Sequence, residues 1–406
     1  MTIITLVRFL FTGSAESIRA IAASRGALWL GLIFVLSAGL AREYDGEYLP
    51  AKPWVLVIPF VASISLSFVL FSIFWLFSRR PLGMPRPAFL PGYRMFATVF
   101  LITAPLAWLY AIPYERFLSP LDATTANLWT LALVALWRVL LTVRMVRVLF
   151  GSSMTSSVVV LMAVACAAVL VSLSVTPTPV FQIMDGIRYA PRDQMIASTA
   201  FLVSMIFMLS LPFLCIAAGT TLRLDRADWP MQRIPVSAER MSLPLKMLGV
   251  MSIVAWLAIL PMNQTEQRLR HKVELDVFSG RYPEALAMMS KHARADFPPL
   301  WDPPPRFGYP DEPASDVVQI MDAILDHPPA QWVANIYTDK FMAYAQSPEP
   351  LWEHTRLGIE SGASKRFINL LQRLPAGKPW DELRKEVGGL EPAATSPTRT
   401  VPAQLP

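Results

Sequence analysis

Residues 127–151 read NLWTLALVALWRVLLTVRMVRVLFG: apolar over most of their length, with Arg138 about midway and Arg144 and Arg147 near the end. An arginine in the middle of a helix that crosses lipid costs roughly 2.5–3.5 kcal/mol on insertion scales. The other long apolar runs of the chain carry no charge at their centres. Those runs therefore predict a helical bundle able to enclose this one, and the fold reads outward from it.

Composition agrees. Of 406 residues, 54% are hydrophobic and only 16% charged, well below the quarter or so expected of a soluble domain. The apolar excess lies before residue 263, which predicts a membrane region followed by a soluble one. The net charge of +6 does not indicate nucleic acid, because the arginines cluster beside apolar runs, where they set topology. Cys166 and Cys215 both sit inside apolar runs and read as small packing residues.

On the N-terminal side, residues 1–25 predict a short helix at the membrane surface, and 26–41 and 54–77 predict the first two spans. Ser63 and Ser67 lie four apart on the second, a spacing that lets helices approach closely. A third span is predicted over 96–112, kinked at Pro105, ahead of the arginine-bearing fourth. Beyond it come 158–175, 195–219 with Pro212, and 247–262, the shortest of the seven. The polypeptide thus reads as all-α, a membrane bundle over 1–262 with about seven transmembrane helices.

Lys and Arg alternate between the connections. Arg8, Arg19 and Arg25, then Arg79, Arg80, Arg86 and Arg94, then Arg144 and Arg147, then Arg223 through Lys246 fall on one side. The other side holds only Arg42, Lys52, Arg116, Arg188 and Arg192. Positive loops stay in the cytoplasm, so the N-terminus is expected inside and everything after Met262 outside an inner (plasma) membrane. That last step depends on the seventh span crossing.

From Asn263 the composition turns polar. Residues 263–390 predict a small all-helical extracytoplasmic domain: a helix running out of the seventh span to Gly280, a second begun by Pro283, a proline-rich loop, and a helix capped by Ser315. Further helices follow around Val333–Tyr344 and over 367–387, and residues 391–406 predict a disordered tail.

Arg138, Arg144 and Arg147 are the candidate functional residues. Arg138 either faces the bundle interior, where it would hold an anion or lipid headgroup, or snorkels to the cytoplasmic interface beside Arg144 and Arg147. No Asp or Glu lies within the predicted spans, which argues against a proton-coupled transporter. Gly280, Tyr282 and Ala285 resemble the helix-turn-helix centre of a tetratricopeptide repeat, over half of one repeat, and mark a hairpin that offers a groove to a protein partner. His271 and Glu274 lie three apart on a helix, but with no HExxH and no cysteine outside the membrane they imply neither a metal nor a cofactor. No phosphate-binding loop, dinucleotide fingerprint or GxSxG is present, so nothing in the sequence calls for an enzyme.

Three stretches, ASRGALWLGLIFVLSAGLAREYDGEYL, IPYERFLSPLDATTANLWTLALVALWRVLL and GRYPEALAMMSKHARADFPPLWDPPPR, together resemble a family of bacterial multi-pass membrane proteins without an assigned activity. The resemblance implies an integral inner-membrane protein and no mechanism. The leading expectation is a non-catalytic membrane scaffold that presents its extracytoplasmic domain to a protein or envelope partner. The alternative is a transporter or lipid-handling protein that uses the fourth span.

Overall fold

A computed structural model describes residues 1–78, 86–175, 191–225, 228–235, 241–306, 319–320, 323–324, 326–345 and side chains as far as 340. The Ser315 cap, the helices over 367–387 and the tail 391–406 lie outside the described residues. Among the described residues every regular element is a helix. The chain divides into two compact units, one formed by Met1–Val180, Pro191–Arg268 and Pro298–Leu300, the other by Phe181–Ala190, Leu269–Phe297 and Trp301–Pro406.

The first unit opens with α1 (Ile3–Thr12) and α2 (Ala15–Ala23), two helices where one was expected. Gly13 breaks them apart: it caps α1 in the left-handed conformation, φ 57°, which a residue with a Cβ adopts only under strain. Ser14 then caps α2 by accepting from the Ser17 amide. Leu6, Phe9, Ile18 and Ile21 of this hairpin are buried in the bundle core, so its apolar face meets protein.

α3 (Ala27–Glu43) is the helix the others surround. Glycines at its contacts let neighbours come close, since a Cβ on Gly31 would fall 2.8 Å from Leu101 and one on Gly249 would fall 2.7 Å from Leu30. α4 (Val57–Phe77) and α5 (Phe89–Leu101) pack beside it. Ser67, fully buried, donates to the Ile64 carbonyl at 2.9 Å and sits 3.3 Å from the Tyr93 hydroxyl of α5. The expected helix over 96–112 is α5 followed by a 3-10 segment, Ala104–Ala111, with Pro105 in its first turn. Proline has no amide to continue the α-helical ladder, and the backbone restarts with tighter bonds.

α6 (Pro120–Phe150), the arginine-bearing helix, is capped by Ser119 and closed by Gly151 at φ 70°. Its last residue, Phe150, anchors the aromatic core: Phe74 and Trp229 lie 5.2 and 5.1 Å from it, centroid to centroid, and Phe71 and Phe96 both 5.8 Å. α7 (Met154–Val175), α8 (Pro191–Leu224) and α9 (Leu243–Phe278) complete the unit. Five segments, Pro53–Phe77, Phe89–Arg116, Met154–Ser174, Arg192–Leu224 and Leu243–Phe278, are long and apolar enough to cross a membrane. They and α6 expose large apolar side chains, among them Phe68, Phe213, Ile216 and Trp129, a surface suited to lipid.

α9 enters both units. It runs unbroken through Pro261, and its last ten residues, Leu269–Phe278, belong to the second unit. There α10 (Tyr282–Ser290) follows the left-handed turn at Gly280, φ 73°, with Pro283 in its first turn, and α11 (Gln331–Ala345) comes later. Phe297 and Trp301 stack at 4.7 Å, Trp332 lies 5.6 Å from Phe297, and the Tyr337 hydroxyl donates to the Pro304 carbonyl. Trp301 and residues 303–305 of the proline-rich stretch are thereby buried in this unit.

Candidate functional sites

Arg138 shares a face of α6 with Val134 and Leu141, one turn before and one after. Val134 and Leu141 are buried against Leu106, with Tyr110 packed beside them. The Arg138 guanidinium carbon lies over the Phe100 ring, 5.7 Å from its centroid. Among the described residues no carboxylate comes within ion-pair distance of it. A cation held on a ring face is worth about 0.5–2 kcal/mol, which offsets part of its desolvation.

Arg144 and Arg147 diverge. Arg144 Nε donates to the Gly13 carbonyl at 3.2 Å, and the Trp137 indole donates to the Leu10 carbonyl at 2.9 Å. Together they hold the N-terminal hairpin on α6. Arg147 is exposed, with Nη1 3.8 Å from the Met154 sulfur. The three arginines of one helix thus have three different surroundings and do not converge on a common ligand.

Two polar nodes were not read from the sequence. Inside the bundle, the fully buried Ser37 hydroxyl of α3 accepts from the Trp108 and Trp256 indoles, at 3.0 and 3.1 Å, and donates to the Ser252 carbonyl at 3.3 Å. A lone serine among apolar residues gives no signal until its neighbours are known.

The second node ties the 44–52 loop to α9. Gln264 accepts from the Leu49 amide at 2.9 Å and donates to the Tyr44 and Glu47 carbonyls, and Gln267 donates to the Asp45 carbonyl. Arg116 donates to Asn263 at 2.9 Å and grips both oxygens of Glu266, the closer at 3.0 Å. Asp45 is pushed up to about 7, first by burial and then by the adjoining Glu115 carboxylate, whose side chain it hydrogen-bonds.

In the second unit, Gly280 supplies the turn, and Tyr282 and Ala285 are buried within the unit's own core. Glu274 is the polar centre: one carboxylate oxygen accepts from Arg270 Nε at 2.9 Å, from the Trp301 indole at 3.0 Å and from Arg306. Lys340, nearly buried, donates to Asp302 at 2.7 Å and to the Pro305 carbonyl at 2.9 Å. No group of three or more metal-binding side chains occurs among the described residues.

A cavity of about 870 Å³ opens between α4, α7 and α8, lined almost wholly by apolar side chains, and no residue of α6 lines it. Family models, curated proteins and solved structures give no match to the chain.

Proposed function

We propose that the chain is a multi-pass scaffold of the inner membrane, crossing it seven times, with its N-terminus in the cytoplasm and its second unit held outside for a protein partner. The observation that carries this reading is α9: one helix begins in the apolar bundle and ends in a second compact unit with its own core. The alternation of basic residues sets the direction. α3 and α6 are the two spans beyond the five apolar ones: α3 is short and largely buried by its neighbours, while α6 buries mainly its last turns and leaves Trp129, Leu133, Leu136 and Leu140 exposed.

Presentation needs an accessible face. On the last turns of α9, Val273 and Val277 are buried while Leu275 and Phe278 are more than half exposed. A photo-crosslinking amino acid at Phe278, in cells, is expected to give one discrete protein adduct, and the same group at the buried Val277 none. Equal labelling at both positions, or labelling by lipid alone at Phe278, overturns the scaffold reading.

A further inference from the structure

We propose that the cavity between α4, α7 and α8 holds one acyl chain of a glycerophospholipid, whose phosphate is taken by Arg223 at its mouth. The proposal concerns the membrane unit alone and is independent of the scaffold reading.

Small residues hollow out the cavity. Where these helices would ordinarily interdigitate, α7 offers Ala163 and Ala167, and α8 offers Ala218 and Gly219. A Cβ placed on Gly219 meets nothing within 4 Å, so the space continues to the helix backbone. Along α4 the lining extends from Ala62 to Phe77, roughly 22 Å at 1.5 Å per residue, an elongated shape within the ~30 Å hydrocarbon layer. Its volume lies in the range of small-molecule sites. An extended hydrocarbon chain suits that shape, and the apolar walls exclude anything more polar.

The mouth is not apolar. Arg223, in the last turn of α8, is the charged residue of the lining; it is exposed and has no hydrogen bond or ion pair among the described residues. It occurs at the same end of the cavity as Phe77, the last residue of α4. A cation at the mouth of an apolar slot matches a phosphate attached to an acyl chain. Lipid that merely coats the outer surface needs neither the slot nor the cation.

The test uses the full chain in detergent, freed of lipid by exchange and then offered phosphatidylglycerol or diacylglycerol with the same acyl chains, with retained lipid read by native mass spectrometry. The native protein should keep one phosphatidylglycerol per chain, preferred over diacylglycerol about tenfold, the scale of one charge-assisted hydrogen bond. Gly219→Leu should abolish retention while the melting temperature of the lipid-free protein stays unchanged, because the new side chain enters open space. Ser65→Leu, which fills the slot from the α4 wall, should do the same. Arg223→Gln should keep both lipids equally. Full retention by the two filled variants, an adduct distribution without a one-to-one species, or an undiminished phosphatidylglycerol preference in Arg223→Gln would overturn the proposal.

Discussion

Arg138 and Glu274 are both charges taken largely out of water, and the two units handle them in opposite ways. Glu274 sits among two arginines and an indole that all donate to one carboxylate oxygen. Arg138 sits on the ring of Phe100 with apolar neighbours on its own helix face. The charge in the second unit is therefore part of a network whose members depend on each other, whereas the charge in the bundle is tolerated singly. Removing the first takes the shared acceptor from two arginines and an indole; removing the second leaves only a ring.

The largest effect should follow from breaking the network. Glu274→Ala leaves Arg270 and Arg306 without their carboxylate in a half-buried setting and the Trp301 indole without an acceptor. A loss of about 3 kcal/mol is expected, the lower end of the range for breaking a buried pair, because the arginines retain some solvent. Limited proteolysis of the full chain in detergent should show faster cutting within 298–306, while the membrane unit melts as before. Unaltered cutting would mean that the stacked Phe297 and Trp301 hold the loop without the network.

Arg138→Leu should have the opposite sign and a smaller size. It removes a desolvation cost of roughly 2.5–3.5 kcal/mol and forfeits a ring contact worth about 0.5–2 kcal/mol, so the bundle should gain about 1–2 kcal/mol. A higher melting temperature in detergent checks this. A fall of several degrees for both Arg138→Leu and Arg138→Lys would show that the guanidinium holds a bound anion, and the unlike treatment of the two charges would lose its basis.

The smallest effect is a pH dependence on the 44–52 loop. Asp45 is raised in the folded protein, so folding favours its protonated form. Its contribution is fully present below the ordinary aspartate value of about 4 and is lost as pH rises through about 7. Glu115, Tyr44 and Arg116 are the ionisable groups around it. Stability of the native protein should fall between pH 5 and pH 8, and Asp45→Asn should flatten that slope. An equal slope in the variant would place the titrating group elsewhere.

Much of the fold was legible because lipid imposes long apolar runs, and runs leave a plain signal. The α4, α7, α8 and α9 segments show directly in the sequence, as do the Gly280 turn and the Pro283 start of α10. Local chemistry that depends on one residue was harder to read. Gly13 splits the N-terminal segment into a hairpin, and Pro105 shifts the backbone to a 3-10 segment, where a single helix and a kink were expected. The candidate sites were least legible. Arg138, Arg144 and Arg147 stand out as charges in an apolar run, but their partners, Phe100, the Gly13 carbonyl and Met154, lie on other elements or across a turn. Ser37 gains its role only from two tryptophans more than seventy and two hundred residues away. The α4–α7–α8 cavity is made of alanines and a glycine, which read as ordinary packing until three helices are seen to leave a gap.

The scaffold reading rests on which side of the membrane the end of α9 emerges. Reporter fusions at Gly280, in the turn after α9, measure this directly, in parallel with fusions in the basic loop near Arg233. A periplasm-type reporter should be active at Gly280 and silent at Arg233, with a cytoplasmic reporter giving the reverse. Cytoplasmic activity at Gly280 would mean that α9 does not cross, and the second unit would face the cell interior.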